Sequence, residues 1–281
     1  KEAIALDNTT NPLFLNYKAV RLEGCQAYNY YVLFDWPNQS VIIDNQLNVR
    51  RATTKATEIP RCYLGAFVHN RLFIANKGIE FGASDPVRPD APLAPLTFLD
   101  SIVSDDNPSP AFPEQFFSLS YVERLSSITA MGHFERSGGD SSMGFGPLFV
   151  ATKEAIFNYN VNRPRAQWGQ SVFGTVLVSN IGIVGPRAFS VVGGDIWYRG
   201  ADGNIYTIST IASDQQKCGI TNISNNIEES LLTRNKHLLQ YSSLVYYDNK
   251  ILCHLQPYAT KSVNLMGSNI DDYVFNGLGV V

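Results

Sequence analysis

Residues 188–208, AFSVVGGDIWYRGADGNIYTI, decide the fold, because they read as three short strands joined by two turns. The strands are rich in the β-branched and aromatic residues that favour β-structure. Gly193-Gly194 separates the first two strands, and a two-residue turn of this kind needs positive φ angles, which glycine adopts without steric cost. The longer second turn contains Asp-Gly-Asn. The stretch therefore predicts an antiparallel three-stranded meander.

The same pattern recurs along the chain at a spacing of about 40 to about 70 residues. The other four units cover residues 27–44, 62–83, 126–180 and 243–276. Tight turns join the first two strands of a unit at 69–70, 193–194 and 248–249, and a longer loop stands at 135–146. Such a period, with hairpins and almost no helix, is typical of β-propeller blades. We therefore predict an all-β propeller of four-stranded antiparallel blades.

The domain prediction is a single propeller over residues 1–281, with about five visible blades and six in a longer parent chain. The first residue is Lys1 and the last five are GLGVV, which we interpret as an internal piece of that longer polypeptide. AYNYYVLFD (27–35) is predicted as one strand, and residues 84–120 as a proline-rich insertion or long loop. One short helix is predicted at about 227–238, after a capping Asn226.

Composition excludes several classes of protein. The formal net charge is −3, which argues mildly against a stand-alone nucleic-acid binder. No apolar run approaches 18 residues, so we expect no membrane span and no membrane partner. The cysteines Cys25, Cys62, Cys218 and Cys253 form no CxxC pair and are expected to be free thiols.

Residues that could carry catalysis do not form a recognisable constellation. The candidate acids are Asp105, Asp106, Glu114, Glu123, Glu135 and Asp195, and the Ser-x-Asp-x-Gly-x-x-Trp box of sialidases is absent. The histidines are His69, His133, His237 and His254, and no two have metal-ligand spacing. The loop at 138–146 is rich in glycine but lacks the Lys-Ser/Thr ending of a phosphate-binding loop. We therefore expect no enzyme, no cofactor and no metal site.

Arginines near the strongest units are the candidate interface residues. Arg163, Arg165 and Trp168 lie in NRPRAQWGQ, and Arg187 precedes the Gly-Gly hairpin. Arginine and tryptophan together suit a protein interface. The acidic balance favours protein over nucleic acid as the partner.

Several phrases resemble those of β-propeller virion proteins of tailed bacteriophages. The phrases are HNRLFIANKGIEFGASDP (69–86), PLFVATKEAIFNYN (147–160), VGPRAFSVVGGDIWYRGADGNIYTI (184–208) and YYDNKILCHLQP (246–257). The resemblance covers about residues 60–281. Among these virion proteins, the phrases are similar to those of the tail nozzle proteins of short-tailed phages. The resemblance consists of strand and turn phrases and includes no catalytic signature.

This resemblance implies a non-enzymatic structural protein of the virion, assembled in the host cytoplasm. In the best-known members six copies form a ring around the DNA channel, below the portal and adaptor. The implied partners are other copies of the chain, portal, adaptor or other tail proteins, and phage DNA that passes without sequence recognition. The implied role is tail assembly, sealing of the channel and genome ejection.

Two other classes of function stay open from the sequence. The first is a carbohydrate-binding or glycoside-cleaving propeller of a host-recognition spike, which would show acids and exposed aromatic residues at one mouth. The second is a cellular protein-interaction propeller, which would be monomeric.

Overall fold

The structure is a computed structural model of the chain. It describes residues 15, 22–52, 59–76, 78–84, 116–118, 126–133, 148–159, 161, 174–210, 218–224, 236–254, 258–265, 268–274 and 278–280. Within these ranges the first strands are β1 (Glu23–Ala27), β2 (Tyr30–Phe34), β3 (Val41–Ile43), β4 (Val49–Arg51), β5 (Leu64–Val68), β6 (Arg71–Ala75), β7 (Glu80–Ala83) and β8 (Phe116–Ser118). Next come β9 (Ala130–His133), β10 (Leu148–Ala151), β11 (Ala155–Tyr159), β12 (Gly174–Ser179), β13 (Phe189–Val192), β14 (Asp195–Arg199), β15 (Ile205–Thr210) and β16 (Cys218–Asn222). A 3-10 helix (Lys236–Tyr241) precedes β17 (Ser243–Tyr247), β18 (Lys250–His254), β19 (Tyr258–Leu265), β20 (Ser268–Val274) and β21 (Leu278–Val280).

Four of the sheets are four-stranded antiparallel meanders that follow one another in chain order. Blade 1 consists of β1–β4, blade 2 of β5–β8, blade 3 of β9–β12 and blade 4 of β13–β16. A three-stranded sheet of β17, β18 and β21 forms blade 5, and β19 pairs with β20 in a separate hairpin. The first strands are neighbours in space, since β5 contacts both β1 and β9, and β17 contacts β13.

The turns between first and second strands confirm the sequence prediction. Both residues of His69-Asn70, Gly193-Gly194 and Asp248-Asn249 have φ between +48° and +92°. Two successive left-handed residues define the tight hairpin turn whose twist matches that of the flanking strands. Asparagine, aspartate and glycine tolerate this conformation, so these pairs fix where each hairpin reverses.

Each blade packs its apolar faces against its neighbours. In β6, Leu72 and Ile74 belong to the core shared with blade 1, whereas Phe73 and Ala75 belong to the core shared with blade 3. All four side chains are fully buried. A third core joins blades 3 and 4, and a fourth joins blades 4 and 5. A strand that is apolar on both faces fits only between two packed sheets, so the chain is an all-β protein of the propeller type, as predicted.

One detail of the prediction was wrong, and one blade differs from the other four. The strand predicted at 27–35 is broken at Tyr28-Asn29, where Tyr28 has a φ of 53°, and its parts belong to β1 and β2. This turn begins with tyrosine, whereas the other three begin with histidine, glycine or aspartate. Blade 5 has three strands among the described residues, and residues 268–274, which fall in its predicted range 243–276, form the second strand of the β19–β20 hairpin.

Other predictions fall largely outside the described residues. In the proline-rich stretch 84–120 only residue 84 and β8 are described. Residues 227–235 of the helix predicted at 227–238 lie outside the described residues. The last three predicted positions, 236–238, are the first residues of the 3-10 helix Lys236–Tyr241. The loop at 135–146 is likewise outside.

The link between blades 3 and 4 generates a stability prediction. The Gly182 N–H donates to the Lys153 carbonyl at 3.0 Å, and an added Cβ at Gly182 would lie 2.0 Å from the Thr152 carbonyl oxygen. We expect Gly182→Ala to lower the free energy of unfolding by about 3 kcal/mol, because the backbone must shift. Gly193→Ala is the matched control: its Cβ meets no atom within 4 Å, and only its φ of +60° opposes alanine, which costs about 1 kcal/mol. Urea unfolding followed by circular dichroism measures both, and equal costs would contradict the packing described for the link.

Candidate functional site: an aromatic rim at one mouth

The candidate site lies at the end of the blades where the first and second strands turn. In an antiparallel meander the turn between strands three and four lies at this same end. The large apolar side chains exposed there are Tyr28, Tyr31, Leu47, Tyr246 and Tyr247, which we call the aromatic rim. All five belong to blades 1 and 5. Of the other described residues, only Ile220 and Val245 are large, apolar and similarly exposed.

Comparison of blades by register shows why the rim is exposed. Tyr31 is the second residue after its hairpin turn, and the same position in blades 2, 4 and 5 holds Leu72, Ile196 and Ile251. Those three side chains are at most 4% exposed, because each packs on the preceding blade. Tyr31 is 43% exposed. It therefore lies on the side of blade 1 where a preceding blade would pack.

Tyr247 occupies the corresponding position on the other side of the series. It is the last residue before its turn, where blades 1 and 2 carry the buried Ala27 and Val68 packed toward the following blade. Tyr247 is 70% exposed. The rim is thus formed where the first and the last described blades turn an apolar face to solvent.

Two rim tyrosines are oriented by amide side chains of the turns. The Tyr28 hydroxyl donates to Asn70 Oδ1 of the neighbouring blade, and the Tyr28 ring meets Phe67 edge-on with centroids 5.2 Å apart. The Tyr246 hydroxyl donates to Asn249 Oδ1 at 2.7 Å. Fixed orientation lowers the entropy that a side chain loses when it enters an interface. The rim is therefore suited to binding a partner.

Arg187 lies at the opposite mouth, where the first strands begin. Its Nε donates to Glu23 Oε2 at 2.9 Å and its Nη2 donates to the Leu22 carbonyl at 2.9 Å. The Arg187 side chain is half exposed. The structure thus places this predicted interface residue in an ion pair between blade 4 and blade 1. The other predicted interface residues, Arg163, Arg165 and Trp168, lie outside the described residues.

The fully buried arginine of the fold holds blades together. Arg199 Nε donates to the Gly203 carbonyl at 3.2 Å, and Nη1 donates to Ser242 Oγ at 3.1 Å, which joins blade 4 to the start of blade 5. Burial lowers the pKa of Arg199, and the adjacent Cys253 thiol opposes that shift. Burial also raises the pKa of Cys253. This pair has a structural role between two blades.

Five of the six candidate acids, Asp105, Asp106, Glu114, Glu123 and Glu135, lie outside the described residues. Of the six acids, Asp195 is described, and it begins β14 directly after the Gly-Gly turn. His69 lies in a turn and His133 ends a strand, as the sequence predicts. Within the described ranges no group of three or more His, Cys, Asp or Glu side chains could hold a metal ion. The only helix in those ranges is too short to cross a membrane.

Comparison with known proteins adds the following findings. No protein-family model matches the chain, and no curated protein matches it. The chain is similar to two structures of the extracellular domain of a B. thetaiotaomicron signalling protein, described as a one component or hybrid two component system. Both are 11% identical, with TM-scores of 0.47 and 0.48; they cover 85% and 88% of this chain. The chain spans 27% and 28% of those two structures.

A third similar structure is a β-propeller domain from Myceliophteria thermophila. It is 11% identical with a TM-score of 0.43, and the match covers 85% of this chain and 68% of that domain. At this level of identity the likeness concerns the fold alone.

Sequence reasoning missed the aromatic rim. The available signal was the pair Tyr246-Tyr247 immediately before the turn Asp248-Asn249, and a tyrosine-rich segment at the equivalent place in blade 1. Aromatic residues also pack between blades, so the pattern alone does not separate exposed from buried tyrosines.

The thiols of Cys25 and Cys62, which lie in or against the core shared by blades 1 and 2, generate a prediction about their reactivity. Burial raises the pKa of Cys25 to about 11 and that of Cys62 to about 12. At pH 8 we expect iodoacetamide to alkylate Cys25 about 100-fold more slowly in the folded protein than in urea, and Cys62 more slowly still, because the thiolate is the nucleophile. Peptide mass spectrometry over time measures both rates, with the unfolded chain as reference. Alkylation of either thiol at its unfolded rate would contradict the burial described.

Proposed function

We propose that the chain is a non-enzymatic structural component of a tailed-phage virion. It would act as a tail or nozzle protein that forms a ring of copies around the DNA channel, and it would take part in tail assembly and genome ejection. The observation that carries the proposal is the aromatic rim at one mouth of the blades. The sequence phrases quoted above supply the link to virion proteins.

The rim supports a protein partner. Tyrosines are enriched at the centres of protein interfaces, where a large ring with a polar tip can be buried at low entropic cost. Single exposed hydrophobic residues are ordinary on a protein surface, whereas a contiguous exposed apolar patch marks an interaction site, and we propose that the rim tyrosines form such a patch in the assembly. Tyr28 and Tyr246 are already held by Asn70 and Asn249, so docking requires little further ordering.

Two buried polar side chains, Arg199 and Thr129, support a structural role. Arg199 bonds to Gly203 and Ser242, and the Thr129 hydroxyl donates to the Ile183 carbonyl at 2.5 Å between blades 3 and 4. These buried donors have acceptors within the fold. A polar core used in this way fits a rigid building block better than a reacting centre.

The partners of the proposed protein follow from its surface and charge. Other copies of the chain and portal, adaptor or tail proteins would contact the rim. DNA would pass the ring without sequence recognition, and the net charge of −3 suits a surface that does not hold the phosphate backbone. The place of the protein would be the virion, assembled in the host cytoplasm.

A second candidate function is carbohydrate binding by a host-recognition propeller. Asp195 follows one hairpin turn and Asp248 lies within another, so both carboxyl groups belong to the same mouth as the rim tyrosines. Aromatic rings can stack on sugar rings, and nearby carboxylates can accept hydrogen bonds from the sugar hydroxyl groups. This candidate requires glycan binding by a single copy.

The particle association of the protein tests the proposed function. Tailed-phage particles from the source would be purified on a density gradient, washed in high salt and analysed by peptide mass spectrometry. We expect peptides of this chain in the particle band at a constant ratio to a portal protein. Recovery of the protein only in the soluble fraction, together with glycan-array binding by a monomer, would overturn the proposal and favour the second candidate.

Substitution in the rim tests its role in assembly. We expect Tyr247→Ser and Tyr31→Ser, made in the intact protein, each to reduce incorporation into particles by about tenfold or more, because buried interface tyrosines are frequent hot spots. Asn45→Ser changes an exposed polar residue of the β3–β4 turn at the same end and should leave incorporation unchanged. Quantitative blotting of gradient fractions measures the effect, while circular dichroism checks folding. Equal incorporation of all variants would exclude the rim as the assembly surface.

A further inference from the structure

The segment Gly185–Ala188 lies between the link from blade 3 and the first strand of blade 4, and we call it the junction segment. Its backbone is bound to its own blade, since the Arg199 N–H donates to the Ala188 carbonyl at 2.8 Å. The Ala188 N–H donates in turn to the Gly185 carbonyl at 3.0 Å, which closes a tight turn. The position of Arg187 is therefore fixed by blade 4.

The junction segment is also held by the start of blade 5. The Leu244 N–H, at the start of β17, donates to the Arg187 carbonyl at 2.9 Å. Gly185 packs so closely on the 3-10 helix that an added Cβ would lie 2.3 Å from the Gln240 carbonyl oxygen. Two consecutive blades thus clamp the backbone from which the Arg187 side chain extends.

The Arg187 side chain reaches the first blade, 164 residues earlier in the chain. Its guanidinium binds the Glu23 carboxylate and the Leu22 carbonyl, each at 2.9 Å, at the start of β1. A planar guanidinium can direct separate N–H groups at two acceptors, which a lysine ammonium on its flexible stem does less well. The contact therefore fixes both the charge and the backbone at the start of blade 1.

The apolar cores described above join neighbouring blades. They do not join blade 1 to blades 4 and 5, which the Arg187 side chain connects. None of the four cores formed by the described residues contains side chains from both blade 1 and blade 4 or 5. We propose that the Arg187–Glu23 ion pair is a latch that holds blade 1 against the late blades and so fixes the curvature of the blade series. It operates at the mouth opposite the aromatic rim.

The latch can be opened without unfolding the blades. The Arg187 side chain is half exposed and that of Glu23 is 14% exposed, so salt ions and the charged groups of a partner can compete for the pair. Opening it would free β1 while the core between blades 1 and 2 stays buried. The latch is therefore a conformational device at one mouth, independent of which partner binds the rim.

Hydrogen exchange on the intact chain, followed by mass spectrometry, tests the latch. We expect Arg187→Gln to speed exchange in β1 and β2 by about tenfold, because a charge-assisted pair and a backbone contact are lost together. Glu23→Gln should speed it by less, because the contact of Arg187 with the Leu22 carbonyl remains. The double variant should exchange no faster than Arg187→Gln alone, since that variant already removes the ion pair. Arg187→Lys should fall between wild type and Arg187→Gln.

Two controls separate the latch from a general loss of stability. Exchange in β10 and β11 of blade 3 should stay unchanged, and Lys250→Gln, which removes an exposed positive charge from blade 5, should have no effect on β1. Raising the salt concentration should speed β1 exchange in wild type and leave Arg187→Gln unaffected. Additive single variants, unchanged β1 exchange, or equal acceleration in all blades would overturn the latch. Any of these results would leave the proposed virion role to its own particle test.

Discussion

The structure depends on the face-to-face packing of sheets that are apolar on both sides. Leu72, Phe73, Ile74 and Ala75 are consecutive residues of one strand, and all four are buried because each face of blade 2 has a neighbour. A blade of this kind cannot bury both faces alone, so its stability comes from the series. The same constraint explains the aromatic rim, since Tyr31 and Tyr247 occupy positions that packing fills in the other blades.

The two mouths of the blade series differ in chemistry as a result. At the hairpin end, where the turns reverse the chain, the first and last described blades carry exposed tyrosines that neighbouring amides orient. At the opposite end, the junction segment is hydrogen-bonded to blades 4 and 5, and its Arg187 side chain contacts blade 1. One mouth is suited to docking on another protein, and the other controls how the blades close. This division fits a building block that is rigid in its blades and adjustable at one ion pair.

Much of the fold could be predicted because its determinants are local. Gly193-Gly194, His69-Asn70 and Asp248-Asn249 identify the hairpins, and the apolar runs beside them are the observed strands. The Tyr28-Asn29 turn was not predicted, because tyrosine is a bulky residue for the left-handed conformation that Tyr28 adopts. The contacts that hold Tyr28, with Asn70 and Phe67, come from another blade. The rim and the partner of Arg187 could not be predicted, since exposure and a contact over 164 residues depend on how the blades stack. Arg187 was predicted as an interface residue because of its charge and its place before the hairpin. The structure shows that its ion-pair partner is Glu23.

We propose that the aromatic rim is the surface by which this propeller is built into a larger assembly. A cryo-electron microscopy reconstruction of the native particle or complex containing the full polypeptide measures this directly. We expect a ring of copies in which Tyr31 and Tyr247 are buried against a neighbouring chain. A reconstruction in which the rim faces solvent while other surfaces make the contacts, or a protein that remains a free monomer, would contradict it.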